Sequence, residues 1–191
     1  MLITVSGTQC IGKSTLIKDF LKEFNNFKTP NIDYRKIITE NNLKLNREGD
    51  YRSQKILFDF VLKQTIECSK LSENYIMDRS LIDVYAYSSW LYLNKPDSGF
   101  NEVNIKEMYD TLQEYVILYD KIFYIPLQYN THIKIEDDKF RDTNEEYRLN
   151  IDKLFDLIIL DLSYENICAN NVYNIYGTRE ERINLIKDIL I

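Results

Sequence analysis

Glycine and proline are scarce, at 5 and 3 of 191 residues. A chain so poor in both is neither low-complexity nor compositionally disordered. Cysteine occurs three times, at Cys10, Cys68 and Cys168, an odd number with no C-x-x-C pair, which argues against a disulfide scaffold. His132 is the sole histidine, so a zinc site has too few ligands. No apolar run approaches the roughly 20 residues needed to span a bilayer, and residues 1–5 lack the basic start of a secretion signal. Positive charge is in deficit, with 24 Lys and Arg against 30 Asp and Glu and a formal net charge of −6. A protein that coats nucleic acid carries the opposite sign. These absences predict a soluble protein of a reducing, cytoplasmic compartment, with nucleic acid and membrane excluded as general partners.

What is present is a composition for burial: 45% of positions are hydrophobic and 28% charged. The length suits one domain over residues 1–191. The β-branched run at residues 1–6 reads as a buried strand. Leu16, Ile17, Phe20, Leu21 and Phe24 then form a helical stripe. A second strand is expected at residues 32–34, a long helix at 51–71, a strand at 74–78 and a helix at 81–93. The stretch 94–104, with Pro96 and Gly99, reads as a loop. Beyond it come a helix at 105–118, a strand at 121–126 and a polar, irregular stretch at 128–142. Thr143 to Glu146 reads as a capping box that opens a helix to about residue 162, and Thr178 to Glu181 repeats the pattern before a C-terminal helix. The last strand is expected at 172–176. Strands alternating with helices imply the α/β class, a parallel sheet covered on both faces.

The strongest motif is Gly7-Thr8-Gln9-Cys10-Ile11-Gly12-Lys13-Ser14, which fits the phosphate loop G-x-x-x-x-G-K-[ST] in the required strand–loop–helix frame. Gly7 and Gly12 allow backbone turns that aim successive N–H groups at a phosphate. The helix start adds its positive end. Lys13 is suited to the β- and γ-phosphates, the Ser14 hydroxyl to Mg²⁺, and Thr15 to the α-phosphate side. Cys10 occupies a variable position and reads as a tolerated small residue. The loop predicts a bound nucleoside triphosphate.

Such loops serve GTPases, motor ATPases and small-molecule kinases alike. No Asn-Lys-x-Asp segment reads guanine here. A motor or AAA+ ATPase calls for a larger chain and paired acids closing its second strand, whereas Tyr75-Ile76-Met77 ends in Asp78-Arg79-Ser80. Asp78 falls at a strand's carboxyl end, where open α/β sheets place ligands; it suits a metal-bound water, and Arg79 a second anion.

The phosphate loop, the Asp78-Arg79-Ser80-x-x-Asp83-x-x-Ala86-Tyr87 segment and Asp138-x-x-Arg141 together resemble the thymidylate-kinase and nicotinamide-riboside-kinase group of small P-loop kinases. The resemblance covers nearly the whole chain. It implies a three-layer fold with a five-stranded parallel sheet, a mobile lid at about residues 128–148, and ATP and Mg²⁺ as donor and metal. It assigns Asp78 to the metal, Arg79 to the acceptor phosphate and Arg141 to the lid. Arg148, seven residues on, faces the same way on the expected helix. Surface pairing with Asp138, Asp142 or Glu145 is the competing reading for both lid arginines.

In the family, the region of Asp33-Tyr34-Arg35 lines the acceptor pocket. Asp33 could take a proton from an attacking hydroxyl; Arg35 could instead clamp a monophosphate. Gln64 on the long helix could read a base edge. The Arg-Glu-Pro-Gly segment of many thymidylate kinases is absent. The expected activity is therefore phosphoryl transfer from ATP to a small nucleotide, a deoxynucleoside monophosphate first. A nucleoside kinase comes next, then a kinase of modified bases or nucleic-acid ends, then a non-catalytic nucleotide-binding regulator. A homodimer is one expectation for its assembly, and the Asn, Ile, Lys and Tyr content fits an AT-rich genome such as a phage's.

Overall fold

The computed structural model describes residues 1–31, 34–129, 142–168 and 170–190. Among these, five strands form one sheet: β1 (Leu2–Ser6), β2 (Phe27–Lys28), β3 (Asn74–Asp78), β4 (Lys121–Tyr124) and β5 (Val172–Asn174). Their order is β2-β3-β1-β4-β5, and every pairing is parallel. β1 lies central, with Thr4 beside Met77 of β3 and Ile122 of β4. The three-layer α/β fold expected from the sequence is the one observed.

Strand alternation sorts the core into two layers. Ile3, Val5, Ile76 and Phe123 face one side, where they pack against α1 (Lys13–Glu23) and α7 (Arg179–Leu190) through Leu16, Phe20 and Ile186. Leu2, Met77, Ile122 and Tyr124 face the other side. There they meet α3 (Tyr51–Ser69), α4 (Leu81–Asn94), α5 (Glu102–Tyr115) and α6 (Glu145–Tyr164) through Leu57, Phe58, Leu81, Leu112 and Phe155. The strands read as continuous apolar runs because both faces are covered.

Three expectations are corrected. The second strand is Phe27–Lys28, not residues 32–34, and Tyr34–Glu40 is a helix, α2. Two residues suffice for pairing with Asn74 and Tyr75 at the sheet edge. Ile38 then buries as the inward position of a short amphipathic turn. Ile32 and Asp33 lie outside the described residues. The cap of α6 is Asn144, whose side chain accepts from the Tyr147 N–H at 2.8 Å, rather than Thr143. The loop at 94–104 also ends early, because Asn101 and Asn104 form a reciprocal capping box that starts α5 at Glu102. Most of the expected lid falls on residues 130–141, outside the described set; its described end is the first turn of α6.

One buried polar group ties the start of α4 to the sheet. The Tyr119 hydroxyl lies 2.7 Å from the Thr65 hydroxyl of α3 and accepts from the Leu81 N–H at 3.3 Å. Tyr119 is fully buried, so the N–H at the head of α4 has no water to turn to. Tyr119→Phe should lower stability by about 1–3 kcal/mol, read as a shift in the urea midpoint at constant m. An unchanged midpoint would refute the pin.

Candidate active site

The phosphate loop leaves the end of β1 and enters α1 through backbone that ordinary residues resist. Gly7 stands at φ 140 because a Cβ there would sit 2.7 Å from the carbonyl oxygen of Ile125. Gly12 takes φ 90 as the residue before α1. Cys10 adopts φ 58 without being glycine, so the loop holds a conformation that costs an ordinary side chain something. No acidic residue occupies the first turn of α1, and its positive end is left for an anion.

Lys13 is 7% exposed. Its ammonium donates to the carbonyls of Gly7 and Thr8, the latter at 2.8 Å. Asp83 stands behind it, with Oδ1 3.9 Å from Nζ. Burial, and next the Arg79 charge, pull the Lys13 pKa down to about 8, against the opposing pull of Asp83 and Asp78. Asp83 is fully buried; it accepts from the Ser80 N–H at 2.9 Å and the Ser80 hydroxyl at 3.1 Å, and from the Gly7 N–H at 3.4 Å. One carboxylate thus caps α4, holds the first glycine and faces the lysine. The S-x-x-D spacing at residues 80–83 signals the cap in the sequence. Its second duty at the loop is set by tertiary contact.

At the mouth of the loop the Ser14 hydroxyl donates to Asp78 Oδ2 at 3.0 Å, and both residues are exposed. Two adjacent oxygen donors fit Mg²⁺, which keeps several waters and accepts only one or two protein ligands. Among the described residues there is no cluster of three or more His, Cys, Asp or Glu that could cage a metal alone. Arg79 follows with φ 84, and its guanidinium lies 4.7 Å from the centroid of the Tyr34 ring and 5.7 Å from that of Tyr87.

Gln9 is a hub that sequence reasoning missed beyond its place in the motif. Its N–H donates to the Tyr87 hydroxyl at 3.1 Å, and that hydroxyl donates to Gln9 Oε1. Gln9 Nε2 donates to the Asp142 carbonyl at 3.1 Å, and Arg148 Nε to the Gln9 carbonyl at 3.3 Å. Asp142 in turn holds Arg47 in a two-point pair at 2.5 and 3.2 Å. Arg148 is therefore buried against the phosphate loop, at 5% exposure, while Asp142 pairs with Arg47. Arg182 of α7 is a second residue the sequence did not disclose; it donates to the carbonyls of Ile11 at 3.1 Å and Gly177 at 3.1 Å. No motif marks a contact across 171 positions.

Of the other residues singled out from sequence, Thr15 is exposed in the first turn of α1, Arg35 is exposed on α2 and Gln64 is half-buried on α3. Thr8 and Ile11 are buried within the loop. Asp33, His132, Asp138 and Arg141 lie outside the described residues.

The comparison with curated proteins finds no match. Among solved structures, the chain is similar to NadR protein in complex with NR, with TM-score 0.68 and 16% identity over 98% of this chain; it spans 50% of that chain. It is similar to thymidylate kinase from Candida albicans, with TM-score 0.68 and 16% identity over 99% of this chain and 90% of that one. It is also similar to deoxyadenosine kinase from M. mycoides with products dCMP and dCDP bound, with TM-score 0.66 and 17% identity over 100% and 98% of the two chains. The fold is thus that of P-loop nucleoside and nucleotide kinases. The sequence pattern described as AAA domain matches residues 2–173. By that match, which covers most of its 191 residues, the chain belongs to the AAA domain family.

Proposed function

We propose that the protein is an ATP-dependent kinase that transfers a phosphoryl group to a small nucleotide, with a deoxynucleoside monophosphate as first acceptor. The observation that carries this reading is the convergence at one loop of Lys13, the Ser14–Asp78 oxygen pair and Arg79. The kinase fold of the similar structures supports it.

In this reading the loop N–H groups and Lys13 hold the β- and γ-phosphates of ATP. Lys13 exchanges the carbonyls of Gly7 and Thr8 for phosphate oxygens. Ser14 and Asp78 would hold Mg²⁺, which would supply positive charge to the transferred group. Arg79 presents its N–H donors to the acceptor phosphate, and Arg141 closes over the transferred group from the lid. A monophosphate oxygen bonds to the γ-phosphorus as the bond to the β–γ bridging oxygen breaks, and ADP leaves. The loose transition state spreads charge over the γ-oxygens, and fixed cations are its main stabiliser. No base is required, because a monophosphate arrives ionised. A nucleoside acceptor is the second reading, favoured by the likeness to deoxyadenosine kinase over 98% of that chain. Its hydroxyl proton would pass to Asp33, with Gln64 on the acceptor side, whereas Arg35 would join Arg79 as the clamp of a monophosphate.

The purified protein is to be incubated with ATP, Mg²⁺ and separate pools of deoxynucleoside monophosphates, deoxynucleosides and oligonucleotides, following ADP release and acceptor mass. A gain of one phosphoryl group by a monophosphate is the expected result; no gain in any pool would overturn the kinase reading. Asp33→Asn should leave monophosphate turnover within a few-fold and cripple nucleoside turnover, which separates the two acceptors. Arg141→Ala should lower kcat by roughly two to three orders of magnitude with little change in ATP affinity; equal losses in both would make it a binding residue. ATP affinity should be flat below pH about 8 and weaken above it, as Lys13 loses the proton that binding requires. The slope should approach about tenfold per pH unit. Affinity constant to pH 10 would show a lysine at its ordinary value.

A further inference from the structure

The acceptor-side cation of the proposed reaction is held in an unusual way. Arg79 is a non-glycine residue at φ 84, at the turn between β3 and α4, with its N–H tied to the Val5 carbonyl at 3.1 Å. That backbone sets the guanidinium beside two aromatic rings, Tyr34 at 4.7 Å and Tyr87 at 5.7 Å. Among the described residues no carboxylate forms an ion pair with it. The two rings are anchored differently. Tyr87 is buried on α4, and its hydroxyl is tied to Gln9 of the phosphate loop. Tyr34 is the first residue of α2, backed by the Phe60 ring of α3 at 6.5 Å.

A guanidinium whose carbon lies over a ring gives that ring a π-face, and the N–H donors that the Tyr87 hydroxyl does not take remain for a ligand. Those donors match two oxygens of a planar or tetrahedral oxyanion and make a poor partner for a lone hydroxyl. Burial pushes the Tyr34 phenol above its ordinary pKa, although the Arg79 charge opposes this. The ring therefore meets the cation as a neutral face at physiological pH.

We propose that Tyr34 and Tyr87 form an aromatic clamp that aims the N–H edge of Arg79 at the acceptor, and that Tyr34 is a specificity-determining residue for a phosphomonoester over a free nucleoside. The inference rests on the kinase reading for the identity of the ligand. The clamp itself stands on ring geometry alone. Tyr87 ties the clamp to the triphosphate loop through Gln9, and Tyr34 ties it to the acceptor helix. The charge that meets the acceptor is thus positioned from both substrate sides.

The test uses protein labelled with ¹⁵N-arginine and saturated with a non-hydrolysable ATP analogue. The Arg79 Nε–H resonance is assigned by its loss in Arg79→Lys. It is expected to carry a ring-current displacement in the unmodified protein and in Tyr34→Phe, and to lose most of it in Tyr34→Leu. An equimolar mixture of the four deoxynucleoside monophosphates should shift this resonance, whereas the four deoxynucleosides should not. Tyr34→Leu should weaken monophosphate affinity by about 3- to 30-fold while leaving affinity for the ATP analogue unchanged, and Tyr34→Phe should restore it. A resonance indifferent to Tyr34→Leu would overturn the clamp. Deoxynucleosides that bind as tightly as monophosphates would overturn the specificity claim. A monophosphate that binds at Arg79 without ADP release from ATP would remove the transferase reading and leave the clamp standing.

Discussion

An ammonium buried among backbone carbonyls is the constraint around which this protein is arranged. Lys13 has lost most of its water, and an uncompensated charge there would cost several kcal/mol. Compensation comes from the carbonyls of Gly7 and Thr8 and from Asp83 behind them. Asp83 can do this only if α4 begins where it does, and that start is held by the Ser80–Asp83 capping box and by the Tyr119 hydroxyl. The position of a helix cap, a tyrosine on the far side of α4 and the basicity of the loop lysine are therefore one problem with one solution. Arg79 lies close enough to depress the lysine further, so the two cations are held together at an electrostatic cost. Bound phosphate would relieve that cost, because anions between two neighbouring cations lower the energy of both.

The loop is also the point where distant parts of the chain meet. Gln9 connects α4 through Tyr87, the segment before α6 through Asp142, and α6 through Arg148. Arg182 braces the loop from the C-terminal helix. The contacts of Tyr87, Arg148 and Arg182 each satisfy a backbone amide or carbonyl that the loop's non-helical conformation leaves without a ladder partner. The same contacts give the loop a rigid frame, since Tyr87, Arg148 and Arg182 stand on helices packed on the sheet. Arg47 and Asp142 extend this frame to the segment after α2. The phosphate loop and the segment after α2 thereby share a continuous set of polar contacts.

The phosphate loop, the β3 aspartate and the alternation of strands and helices were legible in the sequence. Each depends on residues close together in the chain: glycines at fixed offsets, an apolar run ending in charge, stripes at helical spacing. Local reading failed where local signals competed. Residues 27–40 hold a two-residue edge strand and a seven-residue helix, both too short for periodicity to distinguish. Thr143 and Asn144 are both competent caps; Asn144 takes the role because its side chain meets the Tyr147 N–H.

The sequence by itself determined the class of fold and the chemistry of the loop, because both follow from spacing along one short stretch of backbone. Tertiary structure alone decided what surrounds that loop. The second duty of Asp83, the hub at Gln9, the buried Arg148 and Arg182, and the Tyr34 ring beside Arg79 all join residues dozens of positions apart. Their pairing is selected by the packing of helices against a common sheet, and that packing leaves no periodic trace in the residues that meet.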